Sequence, residues 1–185
     1  MRGNRGCHSH AAAAGPPPRR GERWQRSRRR GRDFDGHHGA ALTEAVRAQA
    51  VRLLARREHS RVELARKLEA KGHDSDVAKR VVGQLACQGL QSDRRFTEAF
   101  VRSRIGRGQG ERKIRADLHA RGIDDATADP FMADVSWIEV ATGAIDKRFA
   151  EKPADRNEWA RRARFLAARG FPSDVVATAL GDVPR

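Results

Sequence analysis

The chain offers few residues that could carry catalytic or metal chemistry. Among seven histidines and two cysteines, only the stretch from Cys7 to His10 brings both types together, and no second ligand cluster completes a tetrahedral metal site there. His59 and His119 fall on predicted helix ends or faces, where we expect solvated or capping histidines. No Gly-x-Ser-x-Gly motif indicates a nucleophilic serine. The sequence therefore predicts a binding protein rather than an enzyme, with no metal.

A glycine-rich stretch, Gly106-Arg-Gly108-Gln-Gly110, is of a type that can cradle phosphate. A Walker loop and a dinucleotide-binding loop each need a preceding strand, and the sequence predicts none here. We therefore interpret the stretch as a flexible turn between helices. Its backbone amides, beside Arg107 and Arg112, stay candidates for contact with a DNA phosphate.

Positive charge gives the stronger functional signal. The formal net charge is +14 and the pI is near 11.3, which favours nucleic acid or an acidic protein groove as the partner. A membrane is disfavoured, because no apolar run approaches the roughly 20 residues of a spanning helix. No apolar stretch follows the N-terminal arginines as it would in a signal peptide, so we expect a cytoplasmic protein.

The charge is densest over residues 94–121, which hold nine basic and three acidic side chains, a net +6 in 28 residues. Side chains on either side of the glycine-rich turn, such as Arg104 and Lys113, could converge on an anionic surface. The alternative is a solvated helical face, the usual role of a charge run. The predicted partner-binding or DNA-binding residues are Arg94, Arg95, Arg102, Arg104, Arg107, Arg112, Lys113 and Arg115.

The first 41 residues differ in composition from the rest. Ten arginines and three acids give them +7, half of the net charge, and they also contain a proline triplet and several glycines. Such a segment buries too little apolar surface to offset its ordering entropy. The sequence predicts a disordered basic arm over 1–41. Trp24 and Phe34 in this arm could stack on bases or could be isolated exposed apolar residues.

From Leu42 onward the apolar residues follow a helical period, and no stretch alternates as a half-buried strand would. Nine helices are predicted, at about 43–57, 60–71, 75–88, 93–106, 111–121, 125–135, 137–150, 156–169 and 173–180. The sixth is broken by Pro130 or begins near Asp129. A capping box is predicted at Ser60 and Glu63. The other predicted N-caps are Asp74, Asp93, Asp124 and Asp155, and the predicted helix-ending glycines are Gly72, Gly122 and Gly170.

Three of the helix endings resemble one another. They read Leu68-Glu-Ala-Lys-Gly72, Leu118-His-Ala-Arg-Gly122 and Leu166-Ala-Ala-Arg-Gly170. The basic residue favours the helix C-terminal dipole and the glycine takes a left-handed exit. The spacings, 122 − 72 = 50 and 170 − 122 = 48 residues, leave room for three short helices each. The sequence therefore predicts an all-α fold of three tandem three-helix repeats, at 42–90, 91–135 and 136–185, in an elongated curved array.

The same residues carry a family resemblance. They are Ser60-Arg-Val-Glu-Leu64-Ala-Arg-Lys-Leu68 with Gly72, Asp93-Arg-Arg-Phe96-Thr-Glu-Ala-Phe100-Val101-Arg102-Ser-Arg104, Gly108 to Gly110, Ile114-Arg-Ala-Asp-Leu118 with Gly122-Ile123, Lys147-Arg148-Phe149, and Arg164-Phe165-Leu166 with Arg169-Gly170-Phe171. On these residues the body from about Leu42 to Asp182 resembles the RecX regulators of the bacterial RecA recombinase.

The resemblance implies a regulator, mainly an inhibitor, that lies in the groove of the RecA–DNA filament. It would modulate ATP hydrolysis, strand exchange and coprotease activity in homologous recombination, DNA repair and the SOS response, without a cofactor. We expect a monomer that binds single-stranded and duplex DNA weakly. Pro130 and Pro172 depart from the family pattern. The alternative is a stand-alone DNA-binding protein of helix-turn-helix type, although no recognition helix is evident.

Overall fold

The computed structural model describes residues 40–149 and 151–184. The predicted basic arm, with Trp24 and Phe34, lies outside the described residues except for positions 40 and 41, which are helical. Contacts between Cα atoms divide the chain into Met1–Leu42 and a compact unit at Thr43–Arg185. No helix within the described ranges is long and apolar enough to cross a membrane.

All regular structure in the described ranges is helical, which confirms the all-α prediction. Helix α1 covers 40–54, and it is followed by α2 (Arg61–Glu69), α3 (Ser75–Cys87), α4 (Asp93–Gly106), α5 (Glu111–His119), α6 (Asp125–Ala128), a 3₁₀ turn (Asp129–Phe131), α7 (Trp137–Asp146), α8 (Arg156–Ala168) and α9 (Ser173–Leu180). Apart from the sixth helix, predicted and observed ends agree within four residues.

The sixth helix is shorter than predicted. Only Asp125–Ala128 is α-helical, and Asp129–Phe131 tightens into the 3₁₀ turn, where the N–H of Met132 donates to the carbonyl of Asp129 at 3.0 Å. Pro130 lacks an N–H and cannot continue the α-helical ladder. The predicted break at this proline is therefore confirmed, whereas the predicted extent to 135 is wrong.

Most of the predicted helix caps are confirmed. The side chains of Ser60, Asp74, Asp124 and Asp155 each accept a hydrogen bond from a backbone N–H of the following helix. Asp93 is the exception, because Ser92 caps α4 by accepting from the N–H of Arg95 at 3.3 Å. The Asp93 carboxylate is one residue inside the helix and instead accepts from the N–H of Arg61 at 2.9 Å. Asp93 therefore connects two repeats rather than capping one helix.

Each group of three helices has its own apolar core, as three tandem repeats require. The three cores are centred on the buried residues Leu64, Leu68 and Leu85, then Phe96, Ile114 and Leu118, then Ala141, Leu166 and Phe171. Trp137 packs against the second and the third core. The predicted arrangement of three three-helix repeats is therefore confirmed.

The third core contains a buried arginine. Arg162 lies eight residues before the glycine that ends its helix, the position that Leu64 and Ile114 occupy in the other two repeats. Its side chain is only 5% exposed. Its guanidinium donates to the carbonyl of Glu151 and lies 4.7 Å from the ring centroid of Phe149. The core position that holds leucine or isoleucine in the first two repeats therefore holds a charged side chain in the third.

The middle helices of successive repeats dock end to end. At the first junction the Ser60 hydroxyl, which caps α2, donates to the carbonyl of Arg121 at 2.8 Å. Gly122 follows with φ of +75°, and a Cβ placed on it would lie 2.4 Å from Cγ2 of Val62. The C-terminal end of α5 therefore rests on the N-terminal end of α2, and only glycine fits between them.

The second junction repeats this geometry. The N–H groups of Gly110 and Arg112 donate to the carbonyls of Arg169 and Gly170 at 2.9 and 3.1 Å. A Cβ on Gly170 would lie 2.4 Å from atoms of Lys113. The predicted left-handed exits are therefore only part of the role of Gly122 and Gly170, which also permit this close approach.

His59 lies buried beneath the first junction, so the expectation of a solvated or capping histidine is wrong for this residue. It is 2% exposed, its carbonyl accepts from the Gln91 amide at 3.1 Å, and its Nδ1 lies 3.3 Å from a Glu63 oxygen without hydrogen-bond geometry. It precedes the cap of α2 and is covered by the second repeat. His119, by contrast, is exposed at the end of α5 and lies 3.1 Å from Asp125.

We expect Gly122→Ala to destabilise the fold more than Gly72→Ala. Both glycines have positive φ, which costs an alanine about 1–2 kcal/mol, but a Cβ on Gly72 meets nothing within 4 Å. The clash with Val62 should add at least about 1 kcal/mol. Urea denaturation of both variants measures the difference, and equal losses of unfolding free energy would contradict end-to-end docking.

We also expect the free energy of unfolding to fall as the pH drops through 6.5. Burial, reinforced by the charge of Arg57 and opposed by that of Glu63, holds the pKa of His59 below its ordinary value of 6.5. The unfolded chain therefore binds this proton more readily than the folded chain, and acid favours unfolding until the lower folded pKa is passed.

Denaturation at pH values between 7.5 and 5.5 tests this dependence. His59→Gln should flatten it, since Gln109 occupies the equivalent place before the cap of α5. His119→Gln is the control with an exposed histidine. If His59→Gln shows the same pH dependence of stability as the wild type, a group other than His59 causes that dependence.

A candidate partner-binding site

The eight predicted partner-binding side chains differ in how they are bonded within the molecule. Arg95 and Arg115 are held by several bonds each, and Arg102 and Arg104 each have one ion pair. The other four form no side-chain hydrogen bond or ion pair with the described residues. They are Arg94, Arg107, Arg112 and Lys113.

All three nitrogens of the Arg95 guanidinium donate hydrogen bonds to the first repeat. Its Nε donates to Glu58 at 2.7 Å, and its two terminal nitrogens donate to the carbonyls of Gly89 and Leu90 at 3.1 and 3.0 Å. These bonds tie α4 to the segment between α1 and α2 and to the residues that follow α3. We assign Arg95 to holding the first junction together.

Arg115 is bound by three carboxylates within its own repeat. It contacts Glu111, Asp125 and Asp129 at 2.8, 2.9 and 2.7 Å, which closes α5 onto α6 and the 3₁₀ turn. The hydrogen bond to Asp129 is the largest of the effects that raise the pKa of this guanidinium. With three negative neighbours, Arg115 offers little attraction to an outside anion.

The backbone of the glycine-rich turn is also occupied. The N–H groups of Gly108 and Gln109 donate to carbonyls at the end of α4, and those of Gly110 and Arg112 donate to the third repeat. Within the described ranges these four amides are all bonded, so they form no free row that could cradle an anion. The suggested contact of these amides with a DNA phosphate is therefore wrong, because the turn is a packing junction.

Two of the predicted residues meet in a cleft at the first junction. Arg104 and Arg107 line a cavity of about 330 Å³ between α4 and the segment before α2. We call it the arginine cleft, and its lining residues are Arg57, Glu58, Glu63, Phe96, Ala99, Phe100, Ser103, Arg104, Arg107 and Arg121. The cleft thus combines an apolar floor with four guanidinium groups.

Two of these arginines are stacked on Phe100. The guanidinium carbons of Arg104 and Arg121 lie 4.6 and 4.9 Å from its ring centroid, within cation–π range. Asp117 lies 3.7 Å from Arg104, and its backbone carbonyl accepts from Arg121. The ring therefore orients both side chains, while most of their N–H groups stay unbonded.

The acids of the cleft are already neutralised. Arg57 donates to both oxygens of Glu63, at 2.5 and 3.2 Å, and Glu58 pairs with Arg95. Burial acts to raise the pKa of Glu63, but the hydrogen bonds and charge of Arg57, together with the nearby His59, outweigh burial and lower it, so this carboxylate stays ionised. The charge that remains for an outside partner is positive.

Part of this cleft was not predicted from the sequence. Arg57 was not singled out, Arg121 was only counted among the charges, and Phe100 was named only among the residues of the family resemblance. The i, i+4 spacing of Phe100 and Arg104 on one helix face was an available signal. The approach of Arg57 and Arg121 depends on the docking of α5 on α2, which no local pattern indicates.

No candidate metal site emerges from the part of the chain that the structure describes. It contains no group of three or more His, Cys, Asp or Glu side chains placed to hold an ion. The stretch from Cys7 to His10 lies outside the described residues. The candidate site consists of the basic and apolar side chains that line the arginine cleft.

Comparison with known families matches each repeat separately. Residues 47–85 match the model of the RecX first three-helix domain, residues 92–129 the second and residues 135–180 the third. Together these matches cover well over half of the chain. They include every helix that lines the arginine cleft.

Individual proteins agree with the family models. The regulatory protein RecX of Halorhodospira halophila is 48% identical over 142 residues, which cover 75% of this chain and 88% of that protein. The regulatory protein RecX of Chromohalobacter salexigens is 48% identical over 136 residues, 72% of this chain and 90% of its own.

A crystal structure of RecX from Lactobacillus salivarius shares the fold, with a TM-score of 0.64 at 22% identity over 76% of this chain and 96% of that chain. The matches to all three helical domains and the high identity over most of each relative lead to one conclusion. The chain belongs to the RecX family of regulatory proteins.

Proposed function

We propose that this protein regulates the RecA recombinase, mainly as an inhibitor, by binding in the groove of the RecA–DNA filament. In this proposal it modulates ATP hydrolysis, strand exchange and coprotease function as a cytoplasmic monomer without catalytic activity of its own. The observation that carries the proposal is family membership across all three repeats, since the relatives are named regulatory proteins.

The architecture supports a binding role. Two junctions of glycine-mediated contacts hold the repeats in register, so side chains on different repeats keep fixed separations. A groove-binding protein needs such a scaffold, because ordering mobile segments on binding would cost affinity.

The bonding of the basic side chains supports a narrower choice of contact residues. Arg94, Arg107, Arg112 and Lys113 have no acidic partner among the described residues, whereas Arg95, Arg102 and Arg115 are paired with acids and are left out of the proposed contact. Cations without acidic partners can attract an acidic protein surface or DNA phosphates over a longer range. We assign the first four, with Arg104, to the contact with the filament, and we expect weak, salt-dependent binding to DNA alone.

We predict that Arg112→Ala with Lys113→Ala weakens the effect of this protein on RecA. Both side chains are exposed at the start of α5 and form no hydrogen bond or ion pair with the part of the chain that the structure describes, so the fold should be kept. Losing two exposed charge contacts worth up to about 1 kcal/mol each should raise the half-maximal concentration by about tenfold. The measurement is the rate of ATP hydrolysis by RecA on single-stranded DNA.

The matched control removes the same two residue types elsewhere. Lys79 and Arg80 are adjacent and exposed on α3, so Lys79→Ala with Arg80→Ala makes the same change of net charge in the first repeat. We expect this control to retain the wild-type concentration dependence. If saturating wild-type protein leaves RecA hydrolysis unchanged, the proposed function is rejected.

A salt titration separates regulation of RecA from stand-alone DNA binding. Tight, sequence-selective binding to duplex DNA without RecA would favour the helix-turn-helix alternative, which requires base contacts from a recognition helix. Weak binding that falls steeply with salt fits a protein that meets DNA only through phosphates.

A further inference from the structure

The arginine cleft has a shape and chemistry that suit a protein partner better than a nucleic acid. We propose that it binds an acidic peptide segment, in which carboxylates flank an apolar side chain. This proposal rests on the proposed function in one respect, namely that RecA is the partner that carries the acidic segment.

The donors of the cleft are arranged for carboxylates. Among the described residues the Arg107 side chain has no bonding partner, Arg104 has a single acidic neighbour, Asp117 at 3.7 Å, and Arg121 bonds one carbonyl of its own helix end. Guanidinium groups present forked pairs of N–H donors that match the two oxygens of a carboxylate. Because Phe100 already orients Arg104 and Arg121, little side-chain entropy is lost when an anion binds.

The floor of the cleft calls for an apolar group beside the anion. Phe96, Ala99 and Phe100 form this floor. A cavity of about 330 Å³ is at the small end of ligand pockets. It has room for a few side chains of a peptide.

Nucleic acid fits this cleft less well. Single strands bind by stacking bases on exposed aromatic rings, but two guanidinium groups already lie within 5 Å of the Phe100 centroid. Phosphates are more readily met by exposed cations outside a cleft, such as Arg112 and Lys113. The cleft therefore favours recognition of an acidic motif by clustered arginines.

In the described part of the chain, the cavity at the second junction does not combine clustered arginines with an aromatic floor. There the turn packs directly on α7, so that a Cβ on Gly108 would lie 2.8 Å from Cβ of Ala144. The nearby cavity is lined by one acid and one base, Glu139 and Lys147, together with small and aliphatic residues. The arginine cleft is thus a feature of the first junction and not a by-product of the repeat.

The test is fluorescence polarisation with the full chain and a labelled seven-residue peptide, in which aspartates and glutamates flank one phenylalanine. Arg107→Ala removes the cleft cation that has no internal partner, and we expect about tenfold weaker binding from the loss of one charge-assisted contact. Arg102→Ala is the matched control, because Arg102 is exposed on the same helix and pairs only with Glu98. It should bind the peptide like the wild type.

Two further peptides test the chemistry of the ligand. A peptide with asparagine and glutamine in place of the acids should lose binding, and a peptide with alanine in place of phenylalanine should bind several-fold more weakly. Equal weakening by Arg102→Ala and Arg107→Ala would show attraction to overall charge and overturn the proposal. Displacement of the peptide by a thymidine oligonucleotide from the wild type, but not from Arg107→Ala, would assign the cleft to nucleic acid and also overturn it.

The RecA assay keeps this inference separate from the proposed function. If wild-type protein changes ATP hydrolysis by RecA and Arg107→Ala is equally effective, the cleft does not contact the recombinase and the inference fails while the function stands. Reduced potency of Arg107→Ala, with Arg102→Ala unchanged, supports both.

Discussion

The fold depends on carbonyl groups at the end of one middle helix meeting the N-terminal end of the middle helix before it. Helix ends leave such groups unpaired and of opposite partial charge, so end-to-end docking satisfies both. At the first junction the Ser60 hydroxyl accepts from its own helix and donates to Arg121. At the second, where Gly110 takes the place of that serine, backbone amides make the contact directly.

This docking also creates the candidate site. Arg121, one residue before Gly122, lies beside Phe100 in the second repeat, and the first junction brings Arg57 of the preceding repeat to the same cleft. The cleft therefore forms only when the first two repeats are in register. Binding of a partner there would stabilise the same junction that shapes the cleft, because a ligand of the folded state shifts the folding equilibrium.

The features that could be predicted are those set by residues close to one another along the chain. Caps, glycine exits and the break at Pro130 each depend on a few neighbouring residues, and apolar periodicity located the helices. The close approach of Gly122 to Val62 could not be predicted, since sixty residues separate them. The same limit applies to the basic side chains: Arg95 is occupied because Glu58, 37 residues earlier, is brought beside it.

The three repeats are built on one pattern but differ at particular buried and half-buried positions. The first buries His59 at its junction, the second has Gln109 in that place, and the third buries Arg162 where the others have leucine or isoleucine. A buried arginine needs bonds that only its own surroundings supply, here the carbonyl of Glu151 and the ring of Phe149. The repeats are therefore not interchangeable, because the core or junction of each is completed by different residues.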